Sequence, residues 1–257
     1  MGKPLVFGHR GAAAVAPENT IAAFLRARDL GADGVELDVT LTRDRVPVVI
    51  HDDTVDRTTN GHGLIRNMTI LEVKQLDAGS WKSPKYRGEQ IPTLAEVLDA
   101  LADWVNPASP SRMPRGMINV EIKSMGLGTD GVEREVVNLI GRMNLESRIL
   151  ISSFNPLALE RVKQLNPRLQ RGLLYETDMP FYLRRAWLRF LAAPHALHPD
   201  HQMIDQAYMQ WARRKHYAVN TWTVDDPAEA KRLAALGVEI LISNQPDVIC
   251  RALQPSS

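Results

Sequence analysis

Short apolar runs rich in β-branched residues alternate along this chain with longer stretches of helical period, a pattern that predicts βα units and a parallel sheet. Eight runs read as strands: Leu5–His9, Gly34–Thr40, Met117–Lys123, Arg148–Phe154, Gln170–Glu176, Ala196–His198, Ala218–Val224 and Glu239–Ser243. Between them, Thr20–Leu30, Thr93–Leu101, Val132–Met143, Pro156–Leu165, Asp205–Lys215, Pro227–Leu236 and Pro246–Leu253 carry the spacing of amphipathic helices. Eight such units in 257 residues match a (β/α)8 TIM barrel, which typically takes about 250. Two places break the rhythm. Val46–Ile50 follows the charged turn Arg43-Asp44-Arg45 and reads as an extra strand hairpinned onto the second one. From Asp52 to Gln90 the chain is polar, glycine-containing and poorly periodic before Ile91-Pro92-Thr93 opens the next helix. So short a segment is small for a core of its own. The expectation is one barrel domain over 1–257 with an inserted subdomain at about 52–90. Asn106–Arg115, with three prolines and two serines, reads as a surface loop.

Composition narrows the function classes. Acids and bases nearly balance, leaving a net charge of +1 spread along the chain, so the electrostatic footprint of a nucleic-acid binder is missing. The single cysteine, Cys250, can form no internal disulfide and reads as a small core residue at the last helix. The N-terminal stretch lacks the apolar core of a signal peptide, and no run of about twenty apolar residues offers a transmembrane span. A cytoplasmic protein is expected.

Chemistry enters through strand parity, because successive residues of a strand face opposite sides of the sheet. In Gly34-Val-Glu-Leu-Asp-Val-Thr, residues Val35, Leu37 and Val39 share the face toward the helices, which turns Glu36 and Asp38 into the barrel. In Asn119-Val-Glu-Ile-Lys-Ser, Val120 and Ile122 face outward while Glu121 and Lys123 face inward. Three carboxylates then share one cavity. At an effective dielectric of about 20, each pair some ~4 Å apart repels by ~4 kcal/mol, so a proton, a lysine or a metal must intervene. Lys123 alone cannot neutralise three acids, although one acid held protonated or paired with it is the bland alternative. An all-oxygen set formed by Glu36, Asp38 and Glu121 suits a hard divalent cation, Mg²⁺ or Ca²⁺, better than zinc.

His9 ends the first strand and His51 ends the hairpin strand, so both project from the C-terminal rim where barrel enzymes keep their chemistry. Imidazole titrates near neutrality and can serve as the base or the acid of phosphodiester cleavage. Which histidine takes which role is left open by the sequence. Arg10 and Lys123 are the natural partners of the phosphate oxygens. Trp222 shares parity with Asn220 and reads as a pocket wall. Glu18 and Asn19 precede the first helix, where capping is at least as good an account as substrate contact. His198 and His201 are separated by Pro199 and so do not share a helical face, but one of them could line the pocket. Leu183, Ala186, Trp187, Phe190 and Leu191 fall on one helical face that would pack on the barrel or, for a lipid substrate, form a lid.

These residues in this order also resemble a known family. His9-Arg-Gly, Ala16-Pro-Glu-Asn-Thr20, Glu36-Leu-Asp38, His51-Asp-Asp53, Arg57-Thr-Thr-Asn-Gly61, Asp77-Ala-Gly79, Ile91-Pro-Thr-Leu94, Glu121-Ile-Lys123, Ser152-Ser-Phe154, Thr221-Trp-Thr-Val224 and Asn244-Gln-Pro-Asp247 are similar in order and spacing to the glycerophosphodiester phosphodiesterases, most of all to their compact cytoplasmic bacterial type. The resemblance implies hydrolysis of glycerophosphodiesters, such as glycerophosphocholine or glycerophosphoethanolamine, to sn-glycerol 3-phosphate and an alcohol. It implies Glu36, Asp38 and Glu121 as metal ligands, His9 and His51 as the acid/base pair, Arg10 and Lys123 as phosphate contacts and Trp222 beside the glycerol. It further implies attack by the neighbouring glycerol hydroxyl to give a cyclic phosphate that water then opens. Two other readings compete: a lysophospholipase D acting on single-chain lipids, with peripheral lipid contact, and a non-catalytic phosphodiester-binding protein.

Overall fold

Each apolar run becomes a strand of one closed parallel barrel. The structure is a computed structural model in which residues 2–105, 116–124, 126–180, 186 and 188–254 are described. The barrel strands are β1 (Leu5–Gly8), β2 (Gly34–Leu41), β4 (Met117–Ile122), β5 (Ile149–Ser153), β6 (Gln170–Tyr175), β7 (Ala196–Pro199), β8 (Ala218–Thr221) and β9 (Ile240–Ser243). They follow one another around the ring, and β1 pairs with both β2 and β9, so the sheet closes without an edge. Helices lie between the strands, and the architecture is a (β/α)8 TIM barrel. The extra strand, β3 (Pro47–Val49), pairs antiparallel with β2 outside the ring.

Parity along β2 and β4 does what the sequence pattern asks. Val35, Leu37 and Val39 join Ile118, Val120 and Ile122 in the cluster that packs against the helices through Phe24 and Leu98. Facing inward, Phe7, Met117, Leu150, Ile240 and Ile242 fill the lower part of the barrel. The register sets Glu36 opposite Asn119 and Asp38 opposite Glu121, stacking two polar levels above that apolar plug.

On β3 the same alternation ties the insertion to the barrel. Val49 belongs to the main core, whereas Val48 and Ile50 join Val55, Ile65, Val73, Ala78 and Ile91 in a separate cluster beneath residues 52–90. The segment that looked aperiodic contains only short turns of helix, Ile65–Asn67, Ile70–Val73 and Pro84–Tyr86, each too brief to register as a 3.6-residue repeat.

Several helix starts follow their local signals. Thr20 accepts from the Ala23 N–H, and Thr93 and Glu96 form a reciprocal capping box at Leu94–Ala100. The differences from expectation are local. The ladder ends before His9, Lys123, Phe154 and Glu176, leaving those residues at the rim. Cys250 sits mid-helix in Pro246–Ala252, half-buried against its cluster. Of the apolar face expected over Phe181–Leu191, residues 181–185 and 187 lie outside those described. Ala186 is buried, but Phe190 is 70% exposed rather than packed on the barrel, because only one helical turn, Arg189–Ala192, is formed there. The expected loop Asn106–Arg115 also lies outside the described residues. Among the described residues no helix is long and apolar enough to cross a membrane.

Leu37 is fully buried on the helix side, directly between two inward carboxylates. Leu37→Ala is expected to destabilise the protein by about 2–5 kcal/mol, read from guanidinium unfolding. A loss below about 1 kcal/mol would contradict the outward assignment.

Candidate active site

The segment leaving β1 reads His9-Arg10-Gly11, and its geometry explains the glycine. Gly11 has φ +86, and a Cβ there would stand 2.6 Å from the Ala23 backbone. Arg10 itself turns left-handed, φ +51, which aims its backbone N–H at Glu36 Oε2, 3.0 Å away. Its guanidinium reaches Asp38 Oδ2 at 3.4 Å and Glu18 Oε1 at 2.8 Å.

Glu36, Asp38 and Glu121 are all buried and each offers an oxygen within 4.8 Å of the others. Burial pushes the Glu36 carboxyl well above the usual range, reinforced by Asp38 and Glu121. Burial likewise lifts Glu121 to about 7, with Asp38 adding to the effect. Asp38 goes the other way. Burial would raise it, but Lys123, Arg10 and His51, together with a hydrogen bond from Asn19 Nδ2 at 2.9 Å, hold it low. Lys123 donates to Glu121 Oε1 at 3.1 Å and stands 3.4 Å from Asp38 Oδ1. Two cations thus face three acids, and two of those acids remain electrostatically unsatisfied. Such an all-carboxylate set fits a hard divalent cation.

The two histidines differ in what orients them. His9 Nδ1 lies 2.8 Å from Asn244 Oδ1, and Asn244 is itself fixed because its Nδ2 donates to Asp225 Oδ2 at 2.7 Å. That assignment puts the proton on His9 Nδ1 and leaves Nε2 as an acceptor facing the cavity, 3.9 Å from Glu36 Oε2. Burial and the neighbouring Arg10 lower the His9 pKa, favouring neutral imidazole. His51 Nδ1 instead meets a carboxylate, Asp52 Oδ1, at 2.7 Å. Asp52 is held ionised by hydrogen bonds from Arg57, which also binds Glu18 through both terminal nitrogens. One imidazole is thus oriented by a neutral amide and the other by a carboxylate.

His9, Arg10, Glu36, His51, Glu121 and Lys123 border one cavity of about 230 Å³, closed on the far side by Phe154, Leu174, Glu176 and Trp222. Trp222 packs edge-on against Phe154 with ring centroids 5.5 Å apart, and its Nε1 donates to the His198 carbonyl at 3.0 Å. A larger opening of about 1240 Å³ lies at the opposite end of the barrel around Arg168, Arg213 and Lys215, away from the carboxylate cluster.

Several residues here have a role that the sequence reading either missed or gave otherwise, as with the capping expected of Glu18 and Asn19. Glu18 and Asn19 cap nothing: Thr20 is the N-cap, Glu18 bridges Arg10 and Arg57, and Asn19 orients Asp38. Asn119, Phe154 and Glu176 were within reach of the parity rule, since each lies two residues from another inward position. Asn244 and Arg57 act across 235 and 39 residues, and no local signal marks them. Neither His198 nor His201 borders the cavity. His198 is buried beneath it, with its pKa pushed down to about 3 by burial, and His201 pairs with Glu229.

A family model described as the Glycerophosphoryl diester phosphodiesterase family matches residues 9–248. A glycerophosphodiester phosphodiesterase of Caldanaerobacter subterraneus subsp. tengcongensis is 41% identical over 249 residues, covering 96% of each chain. One from Bacillus subtilis is 31% identical over 95% of this chain and 84% of its own. Among solved structures, an Oleispira antarctica phosphodiesterase in complex with the product sn-glycerol-3-phosphate superposes with a TM-score of 0.84 at 32% identity, covering 98% of this chain and 97% of that one.

The raised carboxyl pKa values carry a sign for stability. Between the usual carboxylate range and pH 7 the folded chain binds more protons at Glu36 and Glu121 than the unfolded chain does, so stability falls as pH rises. Asp38, held low, contributes stability throughout that window. In EDTA the unfolding midpoint is expected to drop from pH 5.5 to pH 8, and millimolar Mg²⁺ or Ca²⁺ should reverse the slope. Scanning calorimetry at several pH values reads this directly, and a slope indifferent to the cation would rule out the three acids as its site.

Proposed function

This chain belongs to the glycerophosphoryl diester phosphodiesterase family and is an enzyme of that class, and on that premise we propose that it converts glycerophosphodiesters such as glycerophosphocholine or glycerophosphoethanolamine to sn-glycerol 3-phosphate and the free alcohol. The observation that carries the proposal is the convergence of two oriented imidazoles, three carboxylates, Arg10 and Lys123 on one cavity of about 230 Å³. The Oleispira protein's bound product supports the same product here.

In this reading Glu36, Asp38 and Glu121 hold Mg²⁺ or Ca²⁺. When bound, that ion supplies the counter-charge the three acids lack and a Lewis acid for phosphate oxygens. Arg10 and Lys123 are placed to bind the non-bridging oxygens. His9, neutral and with Nε2 toward the cavity, takes the proton of the attacking glycerol hydroxyl. The oxygen–phosphorus bond then forms and the bond to the departing alcohol breaks. His51, oriented by Asp52, delivers a proton to that leaving oxygen. The cyclic phosphate that results is opened by water with the two roles exchanged. Trp222 and Phe154 wall the glycerol side.

The chain reads as one barrel domain with residues 52–90 as an inserted subdomain that supplies Arg57 and Asp52. A cytoplasmic setting fits a chain whose one cysteine can form no internal disulfide. A lysophospholipase D would need an apolar channel beside Trp222 and Trp187. Trp187 lies outside the described residues, and the described cavity favours the smaller substrate.

Release of glycerol 3-phosphate from glycerophosphocholine should require Mg²⁺ or Ca²⁺ and vanish in EDTA. His9→Ala and His51→Ala should each lower kcat by about 10²–10⁴. Activity that survives both chelation and the His51 substitution would sink the mechanism.

A further inference from the structure

Asn119 stands on β4 two residues before Glu121, with its Cα in register with Glu36 of β2. It is 1% exposed and its side chain borders the catalytic cavity, yet neither Oδ1 nor Nδ2 has a hydrogen-bond partner. An amide buried this way forfeits its hydration at both atoms, whereas leucine, of similar shape, would fill the place without that penalty. A pair of buried polar atoms without a protein partner beside a ligand cavity calls for a partner from outside the chain, a ligand group or an ordered water.

The chemistry of the two atoms restricts the ligand group. Oδ1 needs a donor and Nδ2 needs an acceptor. The oxygens of a phosphodiester anion only accept, and a water held on a cation only donates, so each would leave half of the amide unbonded. A hydroxyl does both, and two neighbouring hydroxyls can do both at once. On the other side of the cavity the Phe154 and Trp222 rings provide an apolar surface suited to the carbon face of a short polyol.

We infer that Asn119 recognises the glycerol hydroxyls of the substrate half that becomes glycerol 3-phosphate, and so sets the preference for a polyol over other phosphate esters. The inference rests on the function proposed above and adds to it a specificity residue distinct from the phosphate contacts Arg10 and Lys123.

The test is calorimetric titration of glycerol 3-phosphate and of inorganic phosphate, with Mg²⁺ present, into the wild-type protein, Asn119→Leu and Asn119→Ala. Wild type is expected to prefer glycerol 3-phosphate by at least about tenfold, and both substitutions should abolish that preference while leaving phosphate affinity within about twofold. Asn119→Leu should not lower the unfolding midpoint, because it removes two unpaired buried atoms; a residue with a purely structural role would lower it. If the leucine cannot be accommodated, Asn119→Ala carries the same comparison. Equal weakening of both ligands would make Asn119 a phosphate or cation residue and overturn the inference. An unchanged preference, as expected if the amide merely holds a buried water, would overturn it too, as would a wild-type protein with no preference. Cleavage of glycerophosphocholine by the wild type, followed separately, shows whether the broader reading fails with it.

Discussion

Like charges forced together at the top of β2 and β4 set the terms for the rest of this molecule. Three carboxylates lie within 4.8 Å of one another in a buried site, and at an effective dielectric of about 20 each pair repels by about 3–4 kcal/mol. Nothing in barrel packing demands acids there. Around them the chain spends a left-handed Arg10, a glycine that admits no side chain, Lys123 and a buried Asn19 on partial compensation. The remaining imbalance, visible in two carboxyls lifted by burial and by the charge of Asp38, defines what the site is built to receive.

The same economy governs the histidines. Each imidazole borders the cavity with its Nδ1 engaged, but an amide orients one and a carboxylate orients the other. Chemically equivalent side chains thereby acquire different partners, and burial with the neighbouring Arg10 favours the neutral form of His9. Ion pairs linking Arg10, Glu18, Arg57 and Asp52 join the carboxylate end of the site to the His51 end, so the two halves are positioned by one polar network.

Much of this was legible in the sequence because two periodicities are local properties. Alternation on β2 and β4 names Glu36, Asp38, Glu121 and Lys123 as inward residues, and the barrel puts them there. Rim positions for His9 and His51 follow from where apolar runs stop. What stayed hidden acts over distance. Asn244 orients His9 from the far end of the chain, a contact that the β1–β9 closure of the ring creates, and Glu18, in the loop after β1, meets Arg57 of the insertion. The exposed Phe190 shows the opposite failure, where a helical pattern exists on paper but a single turn forms and leaves the ring outside. Asn119 was overlooked for a third reason. An asparagine between an isoleucine and a valine reads as filler until its lack of partners is seen.

His51 follows β3, which is no stave of the ring but a hairpin strand leaning on β2 with one face in the barrel core and the other in the core of the insertion. One of the two proposed acid/base groups is therefore mounted on the frame, at His9, and the other on an attachment. Attachments of this kind can be lengthened, shortened or exchanged without reopening the ring. A lineage built on this plan could redraw the wall on the His51 side of the cavity by rebuilding residues 52–90, while the acids, the guanidinium and the imidazole borne by the frame stay where the barrel puts them.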